Sequence, residues 1–224
     1  PGHYNINQHH SSFHKQGWPN RVGKKIGYDR VINLGLAGTG IPYQIRAFID
    51  LINPIEFENC EVSVIWLLPD KHRQDVYHSQ ELISVGTAMD KKTEWMSSYY
   101  KSKLSSDTYS EDCELDAKFY IRCFKEICDN RKWNSVVIDY MNQINIVNNK
   151  LKGIVSINGL SDNFDKSTDI SPVCGHPNEN GYEKISNKIV GIINKLGWKT
   201  YEPKENIEWK HIKWTKENVI SAVN

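Results

Sequence analysis

Short runs of apolar residues, rich in β-branched side chains, punctuate the chain and predict buried strands. They occupy residues 30–34, 62–68 and 153–157, and Pro69 ends the second run. Runs of this length without polar alternation are typical of parallel strands that are covered on both faces. The glycine-rich segment Gly35–Gly40 follows the first run and predicts a tight turn there.

Apolar residues three or four positions apart predict helices around these runs. The first helix has Pro19 near its start and Gly27 as its stop. The inner face of this first helix consists of Trp18, Val22 and Ile26. A second helix has Ile45, Phe48, Ile49 and Ile52 on its inner face. The last helix has Tyr182, Ile185, Ile189, Ile193 and Leu196. Two more helices are predicted over residues 115–128 and 136–151, the second with Val137, Met141, Ile144 and Leu151 on one face.

Strands that alternate with helices predict an α/β fold, a three-layer sandwich with a mainly parallel sheet. The strands near Val31, Val64 and Val155 should lie parallel in one sheet, with helices on both faces. Right-handed crossovers then bring the carboxyl ends of the strands to one edge, where ligands bind in such folds. We therefore expect three loops to meet at that edge: Gly35–Gly40, Pro69–Arg73 and the loop that contains His176.

The chain is expected to form one domain over residues 1–198, followed by a C-terminal tail over residues 199–224. Residues 71–112 are polar and aromatic, and they predict an insertion or lid around short helices. In the tail, aromatic and basic residues are interleaved, but acidic residues balance the charge. We predict that the tail packs on the domain or binds a partner chain, including a second copy, through Trp209, Ile212 and Trp214.

Composition narrows the class of protein. The 224 residues are 39% hydrophobic and 25% charged, as in an ordinary soluble domain, and the net charge is +1. This balance predicts neither nucleic-acid nor membrane binding, and no signal or membrane-spanning segment is recognisable. The five cysteines are irregularly spaced, which favours reduced thiols in a cytoplasm or virion interior. We assign no cofactor and no metal, and expect His9, His10 and His14 in a solvated loop.

The most specific chemical signal is a histidine in a loop directly before the last predicted helix. The segment Gly175-His176-Pro177-Asn178-Glu179-Asn180-Gly181-Tyr182 places His176 where a general base would face a cleft. Nearer the N-terminus, Trp18-Pro19-Asn20-Arg21-Val22 precedes Asn33-Leu34-Gly35-Leu36-Ala37-Gly38-Thr39-Gly40. Together these segments resemble the SGNH (GDSL-type) serine ester hydrolases, most closely the divergent variants carried by bacteriophages.

The resemblance covers roughly residues 16–196 and implies the flavodoxin-like fold of that family. It implies that His176 activates a serine hydroxyl and that the backbone N–H of Gly38 stabilises an oxyanion. Both residues should border one cleft at the edge of the sheet. Around it, the predicted substrate-binding residues are Thr39, Asp70, Arg73 and Asn178.

The chain departs from the family pattern at three places. It has no Gly-Asp-Ser motif; the family resemblance implies that the missing strand and serine would lie upstream of Pro1. The segment Ile65–Asp70 stands where the family has an asparagine, and an ionised Asp70 cannot donate to an oxyanion. Val173 stands where the family has its triad aspartate, and the nearest upstream carboxylate is Asp169.

Two functions of different class remain open. One is a serine ester hydrolase, for example a carbohydrate deacetylase, acting on an acylated carbohydrate or a small ester. The other is a catalytically degenerate structural or glycan-binding module, such as a component of a phage particle. Because a placed nucleophile and an acid at the expected position are missing, residues 1–224 alone should not hydrolyse short-chain aryl esters appreciably. Val173→Asp should not restore activity unless an upstream serine is also present. A thiol nucleophile at Cys174 is a further alternative, disfavoured because residues two apart in a loop need not face each other.

Overall fold

A computed structural model describes most of the chain. The described residues are 17–35, 39–52, 57–78, 81–85, 98, 101–103, 105–139, 143–144, 154–156, 165, 167–169 and 177–212. In chain order, their helices and strands are α1 (Trp18–Lys25), β1 (Arg30–Asn33), α2 (Ile41–Leu51), β2 (Ser63–Leu67), β3 (Gln74–His78), β4 (Glu81–Val85), α3 (Tyr109–Asn130), β5 (Asn134–Asp139), β6 (Ile154–Ser156), α4 (Glu179–Lys195) and β7 (Glu208–His211).

These elements confirm the predicted α/β class. The chain divides into two compact units. The first contains Pro1–Asn33 and Gly159–Ile212, and the second contains Leu34–Asn158 and Lys213–Asn224. No helix among the described residues is both long and apolar enough to cross a membrane.

The second unit is built on a parallel three-stranded sheet in the order β2–β5–β6. The predicted strands near Val64 and Val155 therefore do share one parallel sheet, with β5 between them. Phe124 of α3 fills the core, with its ring centroid 5.1 Å from that of Phe48 and 5.0 Å from that of Trp66. Aromatic pairs at this separation add to the stabilisation that burial alone provides.

The central strand β5 corrects one prediction. A helix was expected over residues 136–151, but Asn134–Asp139 is a strand whose Val136, Val137 and Ile138 have no exposed surface. A continuous apolar run fits a strand covered on both faces as well as it fits a helix, and spacing alone does not separate the two. Of the remaining predicted helix, only Gln143 and Ile144 lie within the described residues.

Two further expectations in the second unit are wrong in detail. Residues 71–112 do not contain only short helices, because β3 and β4 pair as an antiparallel hairpin. Ile49 was placed on the inner face of α2, yet 49% of its surface is exposed. Ile45 and Phe48 face the core, and at about 100° per residue the next position turns away from it.

The first unit packs α1 against α4 around Val22, Ile26, Ile185, Ile189 and Ile193, all of them buried. The strand near Val31 was predicted to join the strands of Val64 and Val155. For the residues that the structure describes, this prediction is wrong. Val31 lies in a parallel pair with β7, opposite Trp209. A Cβ added to Gly23 would lie 2.2 Å from Val31 Cγ2, so glycine permits the close approach of α1 to this strand.

Candidate functional site

The Pro69–Arg73 loop follows β2 at the carboxyl edge of the parallel sheet, the edge at which ligands bind in α/β folds. The side chain of Gln143, which follows β5 in the chain, holds this loop. Gln143 Nε2 donates to the Pro69 carbonyl at 2.7 Å, and Gln143 Oε1 accepts from the Lys71 N–H at 2.6 Å. These paired bonds fix the loop backbone beside the sheet.

Helix α3 holds the same loop from a second direction. The Tyr109 hydroxyl donates to the His72 carbonyl at 3.0 Å. Lys71 Nζ lies 3.6 Å from Glu114 Oε2, and Glu114 Oε1 lies 2.6 Å from Lys118 Nζ. The loop is thus tied to the first turns of α3 by one hydrogen bond and one ion pair.

Three polar side chains form a hydrogen-bonded series on this loop and helix. Asp70 Oδ1 lies 3.0 Å from His72 Nδ1 and also accepts the His72 backbone N–H at 2.9 Å. His72 Nε2 lies 3.4 Å from Ser110 Oγ. An ionised Asp70 accepts from Nδ1–H, and the neutral imidazole then has its Nε2 lone pair facing the Ser110 hydroxyl. We refer to Asp70, His72 and Ser110 as the relay.

A small depression lies between this loop, the start of α2 and α3. Lys71 and Arg73 line it from the loop, and Ile41, Pro42, Cys113, Asp116, Ala117 and Tyr120 line it from the two helices. Pro42 belongs to the first turn of α2, which follows the Gly35–Gly40 segment in the chain. The start of α2, which directly follows the predicted Gly35–Gly40 turn, therefore lies close to the Pro69–Arg73 loop in the second unit.

The predicted substrate-binding residues of the second unit differ in accessibility. Thr39 is only 4% exposed and precedes the start of α2. Asp70 is engaged by His72, and Arg73 reaches the depression. The assignment of these three residues to substrate binding remains a prediction.

In the first unit, Asn178 is the N-cap residue of α4. Asn178 Oδ1 accepts from the Gly181 N–H at 3.2 Å, as an N-cap side chain does. Asn178 Nδ2 donates to the Thr168 carbonyl at 2.8 Å, and the Asn178 N–H donates to the Asp169 carbonyl at 2.8 Å. The residues that follow His176 in the sequence are therefore locked onto the 167–169 turn.

Asp169 is the anchor of that turn. Its side chain is buried, lies 2.5 Å from Lys184 Nζ, and accepts the Asp165 N–H at 2.7 Å. The hydrogen bond from Lys184 holds the pKa of Asp169 below its ordinary value, although burial opposes the shift. This carboxylate is committed to the turn and to α4.

Several predicted residues lie outside the described part of the chain: Gly38, Val173, Cys174, His176 and Trp214, with His9, His10 and His14. Of the predicted partner-binding residues, Trp209 belongs to β7, and the Ile212 N–H donates to the Asn33 carbonyl at 3.0 Å. This portion of the tail thus pairs within the first unit. Across the described residues, no group of three or more His, Cys, Asp or Glu side chains is arranged to hold a metal.

A second serine with a charged neighbour occurs at the opposite end of the sheet. Lys125 Nζ donates to Ser135 Oγ at 2.6 Å, and Ser135 is 8% exposed at the start of β5. Nearby, burial raises the pKa of the Cys128 thiol to about 11, so this thiol is inert at neutral pH. Ser110, by contrast, is exposed beside a histidine at the carboxyl edge.

The sequence analysis missed His72, Ser110, Tyr109 and Gln143. Asp70-x-His72 carries a weak local signal, because an aspartate often accepts the N–H two residues later in a turn. Ser110 lies 38 positions from His72, so only the tertiary fold brings the two together. No family model matches the chain, and no curated protein or solved structure shows significant similarity to it.

Proposed function

We propose that this chain is an SGNH-hydrolase-like protein of the ester-hydrolase class, with acylated carbohydrates or small esters as its ligands and carbohydrate deacetylation as the characteristic reaction. The proposal rests on the His-Pro-Asn-x-x-Gly-Tyr segment. The observation that carries it is the anchoring of this segment by the Asn178 cap and the buried Asp169. A histidine preceding so fixed a helix start is well suited to serve as a base.

The proposed roles follow the resemblance. His176 is the base, and Gly38 supplies a backbone N–H to an oxyanion. The finer architecture, a three-layer flavodoxin-like sandwich, belongs to the same proposal. It is supported by the parallel β2–β5–β6 sheet and by the loops at its carboxyl edge.

The catalytic set around His176 is incomplete within residues 1–224. Asp169 is the nearest upstream carboxylate in the sequence, and Lys184 holds it at 2.5 Å. A carboxylate already paired with an ammonium group is a weak partner for an imidazole, because the lysine stabilises its charge. The His176 site is therefore proposed to recognise the acyl group without turning it over efficiently.

Calorimetric titration with an O-acetylated and a deacetylated xylo-oligosaccharide tests this proposal, with acetate release measured in parallel. We expect the acetylated ligand to bind more tightly and His176→Ala to abolish that preference. His14→Ala, a histidine outside the motif, is the control and should change nothing. Equal binding of both oligosaccharides, or a preference unaffected by His176→Ala, would contradict the proposal.

The alternative is a structural or glycan-binding module, for example in a phage particle. The engagement of Asp169 by Lys184 favours it, because the pairing serves the stability of α4. The module is distinguished by glycan binding that is insensitive to acetylation.

A further inference from the structure

We propose that the relay of Asp70, His72 and Ser110 is an acyl-accepting site, in which Ser110 is the nucleophile toward short-chain acyl esters. The site goes beyond the proposed function, because none of its residues belongs to the His176 motif. Its basis is the order of contacts: carboxylate to imidazole at 3.0 Å and imidazole to hydroxyl at 3.4 Å. Serine hydrolases on unrelated folds share this order, which is recognised by geometry and not by position in the sequence.

The imidazole of the relay is held before any ligand arrives. Asp70 Oδ1 fixes both the ring and the backbone N–H of His72. Tyr109 holds the His72 carbonyl, and Gln143 holds the backbone on either side of Asp70. A preorganised base loses little entropy when the reaction begins. The distance of 3.4 Å to Ser110 Oγ is within the range that tightens when a ligand binds.

The location of Ser110 supplies a stabilising field for an oxyanion. It lies in the first turn of α3, a helix of 22 residues. The Tyr109 and Asp112 N–H groups of this turn donate to the Ser106 and Thr108 carbonyls at 3.2 and 2.9 Å, so it is the helix dipole that favours negative charge near the Ser110 hydroxyl. Glu111 and Asp112 in the same turn offset part of this field, and Asp112 Oδ2 is engaged by the Thr108 hydroxyl at 3.1 Å.

The surface around Ser110 limits the ligand. The depression lined by Ile41, Pro42, Arg73 and Asp116 has room for about one water molecule, so no deep pocket is available for a long acyl chain. Ser110 itself is exposed, so the alcohol portion of an ester would extend into solvent. The chemical class of ligand is therefore a short-chain acyl ester with little restriction on its alcohol.

The reaction balances with water as the second reactant. Ser110 Oγ attacks the ester carbonyl carbon, and its proton passes to His72 Nε2. The bond between the acyl carbon and the alcohol oxygen breaks, and the alcohol leaves with that proton. Water then attacks the acyl-serine as His72 Nε2 takes its proton. The carboxylic acid leaves, and the proton returns to Ser110 Oγ.

Labelling of the full chain with a fluorophosphonate, followed by peptide mass spectrometry, tests the proposal. We expect the label on Ser110, its loss in Ser110→Ala, and labelling slower by about 100-fold in His72→Gln. Ser105→Ala is the matched control: its exposed hydroxyl bonds the Ser102 carbonyl, and its removal should leave the labelling rate unchanged. Circular dichroism of each variant establishes that the helices are intact.

An unlabelled Ser110, or a labelling rate that His72→Gln does not change, would overturn the relay. His176→Ala separates this proposal from the preceding one. Labelling of Ser110 should persist in that variant even though the preference for acetylated oligosaccharide is lost. Loss of the label in His176→Ala would show that the relay is not an independent site.

Discussion

Gly181 explains why the His-Pro-Asn-x-x-Gly-Tyr segment has a glycine at that position. A Cβ there would lie 2.4 Å from the Asp169 carbonyl oxygen and 2.8 Å from Pro177 Cβ. The first turn of α4 therefore reaches the 167–169 turn only because this residue has no side chain. The sequence marks the glycine, but the collision that requires it becomes visible only when Asp169, 12 positions earlier, is placed.

Gly181→Ala should destabilise the protein by about 1 to 3 kcal/mol, because the added methyl forces backbone groups apart. Gly191→Ala in the same helix is the matched control. A Cβ at Gly191 meets nothing within 4 Å. Alanine should therefore raise the free energy of unfolding by about 0.5 to 1 kcal/mol through its helix propensity. Urea denaturation of both variants measures the difference, and equal effects would contradict the packing argument.

Glu183 offers a pH-dependent test at a single residue. Lys25 Nζ lies 2.5 Å from its carboxylate, and Arg21 Nη1 lies 2.8 Å from it. The hydrogen bond from Lys25 lowers the pKa of Glu183 most, and the hydrogen bond from Arg21 lowers it further. A lowered native pKa stabilises the fold above the unfolded-state value, about 4.3, and this stabilisation is lost as pH falls through the native pKa. Glu183→Gln should thus lower the free energy of unfolding by about 1 kcal/mol or less at neutral pH.

The difference in free energy of unfolding between wild type and Glu183→Gln should disappear in acid and shrink at high salt. Glu179→Gln serves as a control, because its bond to Arg21 involves a side chain that is 76% exposed and should contribute less. Denaturant titrations at several pH values measure both variants. A difference that widens as pH falls would refute the assignment.

At the level of elements, helix α3 shows how far apolar spacing alone predicts secondary structure. The apolar spacing of residues 115–128 predicts this helix correctly, although it begins earlier, at Tyr109. Val136–Leu151 has an equally good helical spacing and yet starts within the strand β5. What separates the two is the long-range pairing of β5 with β2 and β6, which no local pattern contains.

Two phenylalanines of α3 test its orientation. Phe124 is 2% exposed and packs between Phe48 and Trp66, whereas Phe119 is 62% exposed. Phe124→Ala should cost about 3 to 5 kcal/mol of unfolding free energy, since it leaves a cavity in the core. Phe119→Ala should stay within about 0.5 kcal/mol of the wild type. Similar losses in the two variants would mean that the helix face is assigned wrongly.

Strand β7 is one of the elements that the sequence analysis did not predict. Residues of the tail alternate in a way that suits a strand, but its partner, β1, lies nearly 180 positions away. Glu208→Pro removes the N–H that donates to the Asp29 carbonyl at 2.8 Å, and should cost about 1 to 3 kcal/mol. Glu208→Thr keeps this N–H and loses only the exposed pair with Arg30, so it should change stability by less than about 1 kcal/mol. Thermal unfolding compares the two, and an undiminished melting temperature in Glu208→Pro would contradict the pairing.

For the whole molecule, the sequence predicts the α/β class and the strands around Val31, Val64 and Val155. It does not predict that Val31 pairs with the tail, because a short apolar strand fits any open edge equally well. The residues of the candidate site divide in the same way, into those found from the sequence and those found only from the fold. Asp70 was found from its place after a strand, but its partners His72 and Ser110 required the fold.

Ester hydrolysis by residues 1–224 distinguishes the His176 site from the relay. Removing triad members typically lowers serine-hydrolase turnover by about four to six orders of magnitude. Because the sequence has no Gly-Asp-Ser motif and has Val173 where the family has its aspartate, we expect no appreciable rate from His176 with para-nitrophenyl acetate. Val173→Asp should not restore one unless an upstream serine is also present. Any serine-reagent-sensitive rate should survive His176→Ala and disappear in Ser110→Ala, because His72 Nε2 lies 3.4 Å from Ser110 Oγ. A rate that instead disappears in His176→Ala and survives Ser110→Ala would place the nucleophile beside His176 and leave the relay with a purely structural role.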